Sequence, residues 1–200
     1  ESNAHNYEAH EKLFRLLVGS WRENWNDPDL PFYYVQLSSI DRPSWPWFRD
    51  SQRRLMDAIP HTGMAVSSDY GDSLDVHPKN KRPIGERLAH WALNHTYDKK
   101  QVVPSGPLFR SVDFREDAAY VSFDYADGLH TADGRPIREF EIAETEGVYY
   151  PAKAEVVGNQ VKVYSDRVKH PCHVRYAWRP FTRANLVNSQ SLPASTFRSR

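Results

Sequence analysis

The sequence predicts an α/β fold over residues 1–103, followed by an antiparallel β region over residues 104–200. Two observations support this division. The first half alternates helical and strand patterns in the order α-β-α-β-loop-α, which is typical of a parallel sheet covered by helices. Beyond residues 103–107, which are rich in proline and glycine, short strand-like runs and turns replace that alternation. We therefore expect a β region that packs on the first half or borrows strands from outside the chain.

Each element of the first half has its own signal in the sequence. Helical spacing of apolar residues predicts a first helix over residues 7–25. The apolar members of that helix share one stripe: Leu13, Leu16, Leu17 and Trp21. An apolar, aromatic run predicts a buried strand over residues 32–37, and a proline in the first turn can open a second helix over residues 46–59. A second strand is predicted over residues 63–68 and a third helix over residues 79–97.

The second half has the patterns of short strands joined by turns. The strand-like runs are residues 118–125, 139–142, 148–157, 160–164 and 173–178. Gly158 and Asn159 lie between two of these runs and predict a two-residue hairpin turn. Asp133 and Gly134 indicate another turn.

Composition excludes several classes of partner. The 26 basic and 26 acidic residues cancel, so nucleic acid is not an expected partner. No apolar run approaches the roughly 20 residues that a membrane span needs. Cys172 is the single cysteine, which excludes an internal disulfide, and the histidines lack the spacing of a zinc site. We expect neither a metal nor another cofactor.

An acidic loop with a histidine follows the predicted strand over residues 63–68. His77 comes two residues after Asp75 and five after Asp72, and Pro78 holds it in a loop. Open α/β sheets bind ligands just past the carboxyl ends of their strands. A neighbouring carboxylate can orient an imidazole so that it acts as a general base. The alternative is a solvated acidic loop in which the histidine occurs by chance.

The chain starts with Glu-Ser-Asn-Ala, which is neither an initiator methionine nor a signal peptide, so we expect that it begins within a motif. Asn3 could donate its side-chain N–H to a developing oxyanion. Alternatively, Ser2 or Asn3 could cap the first helix. Ser2 is a poor candidate nucleophile because no Gly-x-Ser-x-Gly turn surrounds it.

Several segments, in the same order along nearly the whole chain, resemble the sialate O-acetylesterase family of the SGNH-hydrolase superfamily. They are residues 1–4, 31–37, 64–81, 85–89, 140–143, 151–154, 174–178, 185–186 and 192–195. The first is similar to the end of the family's Gln-Gly-Glu-Ser-Asn block, and the second to its Pro-Phe-Tyr-x-Val-Gln-Leu strand. The third resembles the segment that holds the family's catalytic histidine.

The resemblance implies a flavodoxin-like, three-layer α/β/α esterase domain. It implies hydrolysis of O-acetyl esters on sialic acids or related sugars through an acyl-serine intermediate, without a cofactor, in a secreted, periplasmic or lysosomal protein. His77 would be the general base, and Asn3 a donor to the oxyanion. Superfamily members commonly place the aspartate three residues before the histidine, but that position is Leu74 here. Asp75 and Asp72 are both available, and Asp75 is favoured.

The chain departs from the family in one respect: nothing in it matches the Gly-Gln-Ser-Asn block that carries the nucleophile. We therefore expect an N-terminal segment of the same protein to supply the serine. An acetylxylan-type esterase is an alternative, since related sites differ mainly in their loops. A second hypothesis is a non-catalytic carbohydrate-binding or interaction module that uses exposed Trp and Tyr side chains; such a module has no need of His77 beside a carboxylate.

Overall fold

The computed structural model of the protein describes residue 2 and residues 4–199. The first half contains two short parallel strands and three α-helices. In chain order these are α1 (Tyr7–Asn24), β1 (Phe32–Val35), α2 (Trp45–Ala58), β2 (Thr62–Ala65) and α3 (Arg82–Trp91). A 3-10 turn follows β2, and a π-helical turn extends α3 over Ala92–Thr96. None of the helices in the described part is long and apolar enough to cross a bilayer.

Helices cover both faces of the parallel pair β1–β2. Met64 of β2 packs with Phe32 of β1 and Phe14 of α1 on the side of α1 and α2. The neighbouring Gly63 points to the other side, against the ring of Trp91 in α3, because successive residues of a strand face opposite ways. The prediction of a mixed α/β fold is therefore confirmed. The larger flavodoxin-like sheet that the family resemblance implies remains a proposal.

The contact between α3 and β2 leaves no room for a side chain at position 63. A Cβ atom there would lie 2.5 Å from the indole ring of Trp91. We expect Gly63→Ala to lower the free energy of unfolding by about 1–3 kcal/mol, since the helix must move outward. Urea denaturation measures this cost. Gly85 in α3 has open space around it, so Gly85→Ala is the matched control and should leave stability unchanged or slightly raised.

The second half is built from antiparallel strands. Their bounds are β3 (Leu108–Arg115), β4 (Ala118–Asp124), β5 (His130–Thr131), β6 (Phe140–Ala143), β7 (Tyr150–Pro151), β8 (Lys153–Val157), β9 (Gln160–Tyr164), β10 (His173–Tyr176), β11 (Leu186–Val187) and β12 (Phe197–Arg198). Two four-stranded sheets have the orders β3-β4-β9-β8 and β12-β10-β6-β7, and β5 pairs with β11. The expected antiparallel β region is confirmed.

Two features of this region bear on the sequence predictions. The hairpin turn at Gly158 joins β8 to β9 as predicted, and Gly158 has a φ of +60°. The predicted run over residues 148–157 is divided at Ala152, whose N–H donates to the carbonyl of Phe140 at 3.0 Å. Strand β3 was not predicted, because its exposed charged residues interrupt the apolar pattern.

Other predicted bounds in the first half were wrong. The strand expected over residues 32–37 ends at Val35, and the strand expected over residues 63–68 is Thr62–Ala65. The third helix begins at Arg82 rather than at residue 79, with a proline in its first turn. Such a proline is favourable there because the first turn has free N–H groups in any case.

The predicted stripe of α1 is exposed, with Leu17 and Trp21 at 45% and 48%, and a different set of residues faces the core. Val18 is fully buried, and Phe14 packs against the same cluster, whereas Leu13 and Leu16 are 60% and 69% exposed. Within the described residues, Trp21 meets the ring of Phe32 edge to face at a centroid distance of 6.3 Å, whereas the leucines stay exposed.

The hydrophobic cores of the two halves are formed by separate parts of the chain. The larger cluster contains only residues beyond 108, and the two smaller clusters contain only residues before 77. The predicted boundary between residues 1–103 and 104–200 stays a prediction.

Arg49 of α2 links the two halves. Its side chain is fully buried, and no carboxylate lies within 4.0 Å of it in the part of the chain described. The guanidinium donates to neutral oxygen atoms: the hydroxyl of Thr196 and the carbonyls of Ala177, Arg179 and Pro180, at 2.5–3.0 Å, with a longer contact of 3.5 Å to the carbonyl of Ser38. Burial lowers the pKa of Arg49 to about 9, and the negative charge of Glu139 opposes this. The group is therefore a cation at neutral pH, held by carbonyl groups of the β half.

Candidate active site

A cleft lies at the carboxyl ends of β1 and β2, where parallel sheets bind ligands. Its volume is about 310 Å³. The walls come from the ends of both strands, from the loop that carries His77 and from the start of α3: Val35, Gln36, Leu37, Ser38, Ser67, Val76, Pro78, Lys81 and Ile84. Val76 and Pro78 flank His77 directly, so the histidine belongs to the rim of this cleft.

His77 and Asp75 are in contact in this loop. The ring atom Nδ1 of His77 lies 3.0 Å from Oδ1 of Asp75, and the backbone N–H of His77 donates to the same oxygen at 2.9 Å. A side chain that accepts from the backbone two residues later forms an Asx turn. The imidazole is 74% exposed, which leaves its other nitrogen open to solvent.

The electrostatics favour a charged carboxylate at this position. The pKa of Asp75 is lowered, first by the backbone hydrogen bond from His77 and then by the hydrogen bond with the ring, with a smaller contribution from Lys79. An anionic Asp75 holds the tautomer that donates from Nδ1 of His77, so that Nε2 can accept a proton. The pair has the geometry of a general base with an orienting carboxylate.

Asp72 has a different role in the loop. Its Oδ1 accepts the backbone N–H of Leu74 at 2.8 Å and that of Asp75 at 3.3 Å. The two carboxylates that the sequence left open are thus distinguished by their contacts: Asp75 touches the imidazole, and Asp72 supports the turn. A catalytic role for either remains a prediction.

Two residues that fix the surroundings of this loop were not predicted from the sequence. Asp69, just after β2, forms a bidentate ion pair with Arg87 of α3 at 2.7 and 2.6 Å. Arg87 also donates to the carbonyl of Val66 at 2.7 Å. These contacts tie α3 to the end of β2. Asp69 and Arg87 are 18 residues apart in the sequence, so no local pattern reveals this ion pair.

The proposed oxyanion donor, Asn3, lies outside the described residues. Ser2 is exposed. The N-cap of α1 is Asn6, whose side chain accepts from the N–H of Ala9 at 3.1 Å. The alternative in which Ser2 or Asn3 caps this helix is therefore wrong, because Asn6 is the N-cap and the helix begins at Tyr7.

Comparisons with known proteins point to acetylesterases. No protein-family model matches the chain. A sialate O-acetylesterase of Rattus norvegicus is 23% identical over 231 aligned residues, which cover 100% of this chain and 43% of the relative. A sialate O-acetylesterase of Mus musculus is 26% identical over 147 residues, covering 62% of this chain and 27% of the relative.

Among solved structures, a carbohydrate acetylesterase from Xanthomonas citri superposes with a TM-score of 0.89 and is 35% identical. The match covers 95% of this chain and 45% of that one. The chain thus spans less than half the length of each of these relatives. Together, the curated relatives and the solved structure support the sialate O-acetylesterase-like family for this chain.

Proposed function

We propose that this chain is the C-terminal part of a carbohydrate esterase that removes O-acetyl groups from sialic acids or related sugars. The contact between His77 and Asp75, at the rim of a cleft formed by the ends of two parallel strands, is the observation that carries the proposal. The similarity to acetylesterases over the chain supports the same reaction class.

In this proposal the nucleophilic serine comes from an N-terminal segment of the same protein. Nε2 of His77 takes the serine proton as the hydroxyl attacks the acetyl carbonyl, and returns it to the departing sugar oxygen. The same nitrogen then takes a proton from water as the water oxygen attacks the acyl-serine. It passes this proton to the departing serine oxygen, which frees acetate and restores the enzyme. Asp75 stabilises the imidazolium, and Asn3 donates to the oxyanion in both steps. None of these steps uses a cofactor.

The walls of the cleft suit an acetylated sugar. Val35, Leu37 and Ile84 give it an apolar side, and the Ser38 and Ser67 positions give it polar groups. A site with mostly apolar walls and few polar groups binds small ligands well. The identity of the sugar is tested by comparing kcat/KM for O-acetylated sialic acid with kcat/KM for acetylated xylan. A higher value for acetylated xylan would indicate an acetylxylan-type esterase instead of a sialate esterase. A secreted, periplasmic or lysosomal setting is also part of the proposal.

Residues 1–200 alone are expected to hydrolyse no acetyl ester, because they lack a nucleophile motif. Activity on 4-nitrophenyl acetate should appear only in a polypeptide that also contains the N-terminal segment. The measurement is the rate of nitrophenol release above buffer for both proteins at equal concentration. Robust turnover by residues 1–200 would mean that the nucleophile lies within this chain.

Substitutions of the two aspartates of the loop are expected to have very different effects on kcat of the complete enzyme. Asp75→Asn removes the charge that stabilises the imidazolium and favours the wrong tautomer, so kcat should fall by roughly 10²- to 10⁴-fold. Asp72→Asn keeps an oxygen that accepts the two backbone N–H groups, so kcat should change by about twofold at most. Steady-state kinetics of both variants on one acetyl ester measures the two effects. A larger loss of kcat in Asp72→Asn than in Asp75→Asn would make Asp72 the carboxylate that orients His77.

A further inference from the structure

Among the described residues that line the cleft at the ends of β1 and β2, Lys81 is the one with a charge. The other lining side chains are uncharged, and Val35, Leu37 and Ile84 make much of the wall apolar. Apolar walls lower the effective dielectric constant, so a charge beside them attracts an opposite charge more strongly than it does in open water. The cleft therefore offers a cation to the ligand that it binds.

The side chain of Lys81 is held close to His77. Its Nζ donates to the carbonyl of Pro78 at 2.8 Å, and Pro78 directly follows His77 in the loop. Lys81 is also the N-cap residue of α3, so both the backbone and the ammonium group are fixed at the start of that helix. An ammonium group has three N–H donors, and one of them is used by Pro78. A ligand in the cleft can accept from the others.

The positive charge of Lys81 has no counter-charge in the part of the chain that the structure describes. No carboxylate of that part lies within 4.0 Å of its Nζ, whereas the neighbouring Arg82 pairs with Glu86 at 2.8 Å and Asp75 is engaged by His77. The first turn of α3 contains no acidic residue either. An unpaired cation in a binding cleft favours a ligand with a negative group, because complementary charges give a site its specificity.

We propose that Lys81 binds the carboxylate of the sugar and thereby selects acidic sugars over neutral ones. The inference rests on the proposed function, because a sialic acid carries one carboxylate, which is ionised at neutral pH, whereas a xylose unit carries none. With its acetyl ester beside His77 and its carboxylate on Lys81, the sugar is held at two points. A neutral sugar leaves the ammonium group without a counter-charge.

Lys79 provides a matched control on the same loop. It is exposed and lies two residues before Lys81, but it does not line the cleft. Its charge acts on Asp75 instead, where it makes a small contribution to the lowered pKa of that carboxyl group. A general effect of positive charge on the loop would involve both lysines, whereas direct binding of the carboxylate involves Lys81 alone.

The test measures acetate release by the complete enzyme from two forms of an O-acetylated N-acetylneuraminic acid. One is the free acid, and the other is its carboxyl methyl ester, which has lost the negative charge. The charge preference is the ratio of kcat/KM for the free acid to kcat/KM for the methyl ester. Both forms carry the same acetyl group, so a general loss of activity in a variant cancels from this ratio. The variants are Lys81→Met, Lys81→Arg and Lys79→Met.

We expect a charge preference of roughly 5- to 20-fold in the wild type, which is more than an ion pair in open solvent provides. Lys81→Met should lower it to about twofold or less, Lys81→Arg should keep most of it, and Lys79→Met should change it by less than about twofold. The loss should lie mainly in KM, because the carboxylate is bound equally in the ground state and the transition state. Raising NaCl from about 0.02 M to about 0.5 M should lower the preference of the wild type, since salt screens the attraction. This last measurement requires no variant to fold.

The remaining outcomes separate the role of Lys81 from the proposed function. Equal kcat/KM for the two forms in the wild type would overturn the role of Lys81 and leave the sialate esterase activity in place. A preference that persists in Lys81→Met, or that Lys79→Met removes, would also overturn it, because another cation would then bind the carboxylate. Release of acetate from acetylated xylan but from neither form of the sialic acid would overturn the sialate proposal and this inference together.

Discussion

Replacing His77 by alanine in the complete enzyme is expected to lower kcat for acetyl-ester hydrolysis by roughly 10⁴- to 10⁶-fold. The imidazole is proposed to move the proton in both acylation and deacylation, so neither step retains its base. KM should change little, because the ring is placed at the rim of the cleft. Tm should stay within about 1–2 °C of the wild type, since a side chain that is 74% exposed contributes little to stability.

His61 provides a matched control for this substitution. It also lies beside an aspartate, with Nε2 3.3 Å from Oδ1 of Asp29, and its side chain is 53% exposed. It directly precedes β2, at the end opposite the cleft. His61→Ala should therefore retain kcat within about twofold. Equal losses of activity in the two variants would show that exposed histidines matter for a reason other than proton transfer at the cleft.

Replacing Arg49 by methionine is expected to lower the free energy of unfolding by about 4 kcal/mol or more. Methionine fills much of the same volume but donates no hydrogen bond, so the carbonyls of Ala177 and Arg179 lose buried donors. Each such loss costs about 1–3 kcal/mol. Urea or thermal denaturation followed by circular dichroism measures the effect.

The control for that substitution is Arg110→Met. Arg110 is an exposed arginine of β3 whose one ion-pair contact is 3.8 Å, to Asp124. Its replacement should change stability by less than about 0.5 kcal/mol. If Arg49→Met costs less than about 1 kcal/mol, the loop after β10 is held mainly by its other contacts, and Arg49 is not what joins the two halves.

The part of the site that rests on local contacts could be predicted from the sequence. His77 and Asp75 are two residues apart, and a proline after the histidine keeps both in one loop. Spacing therefore offers Asp75 as a partner of the imidazole beside Asp72, and the contact distinguishes the two. The hairpin at Gly158 could be predicted for the same reason, because the two residues that form its turn, Gly158 and Asn159, are adjacent in the sequence.

The contacts that were missed join distant parts of the chain. Arg49 donates to a carbonyl 128 residues later and to a hydroxyl 147 residues later, and the periodicity of α2 shows only that the position is helical. The exposed stripe of α1 has a related cause: helical spacing shows which residues share a stripe, but it does not show which stripe faces the core.

The contacts of Arg49 determine how the connection between the two halves responds to ionic strength. Its acceptors are peptide carbonyls and a hydroxyl, and the whole group is buried. Mobile salt ions screen attraction between exposed charges over about 8–10 Å at moderate concentrations, but they screen a fully buried contact far less. The connection between the α/β half and the β half should therefore hold in dilute buffer and in concentrated salt alike, whereas the surface ion pairs around it weaken.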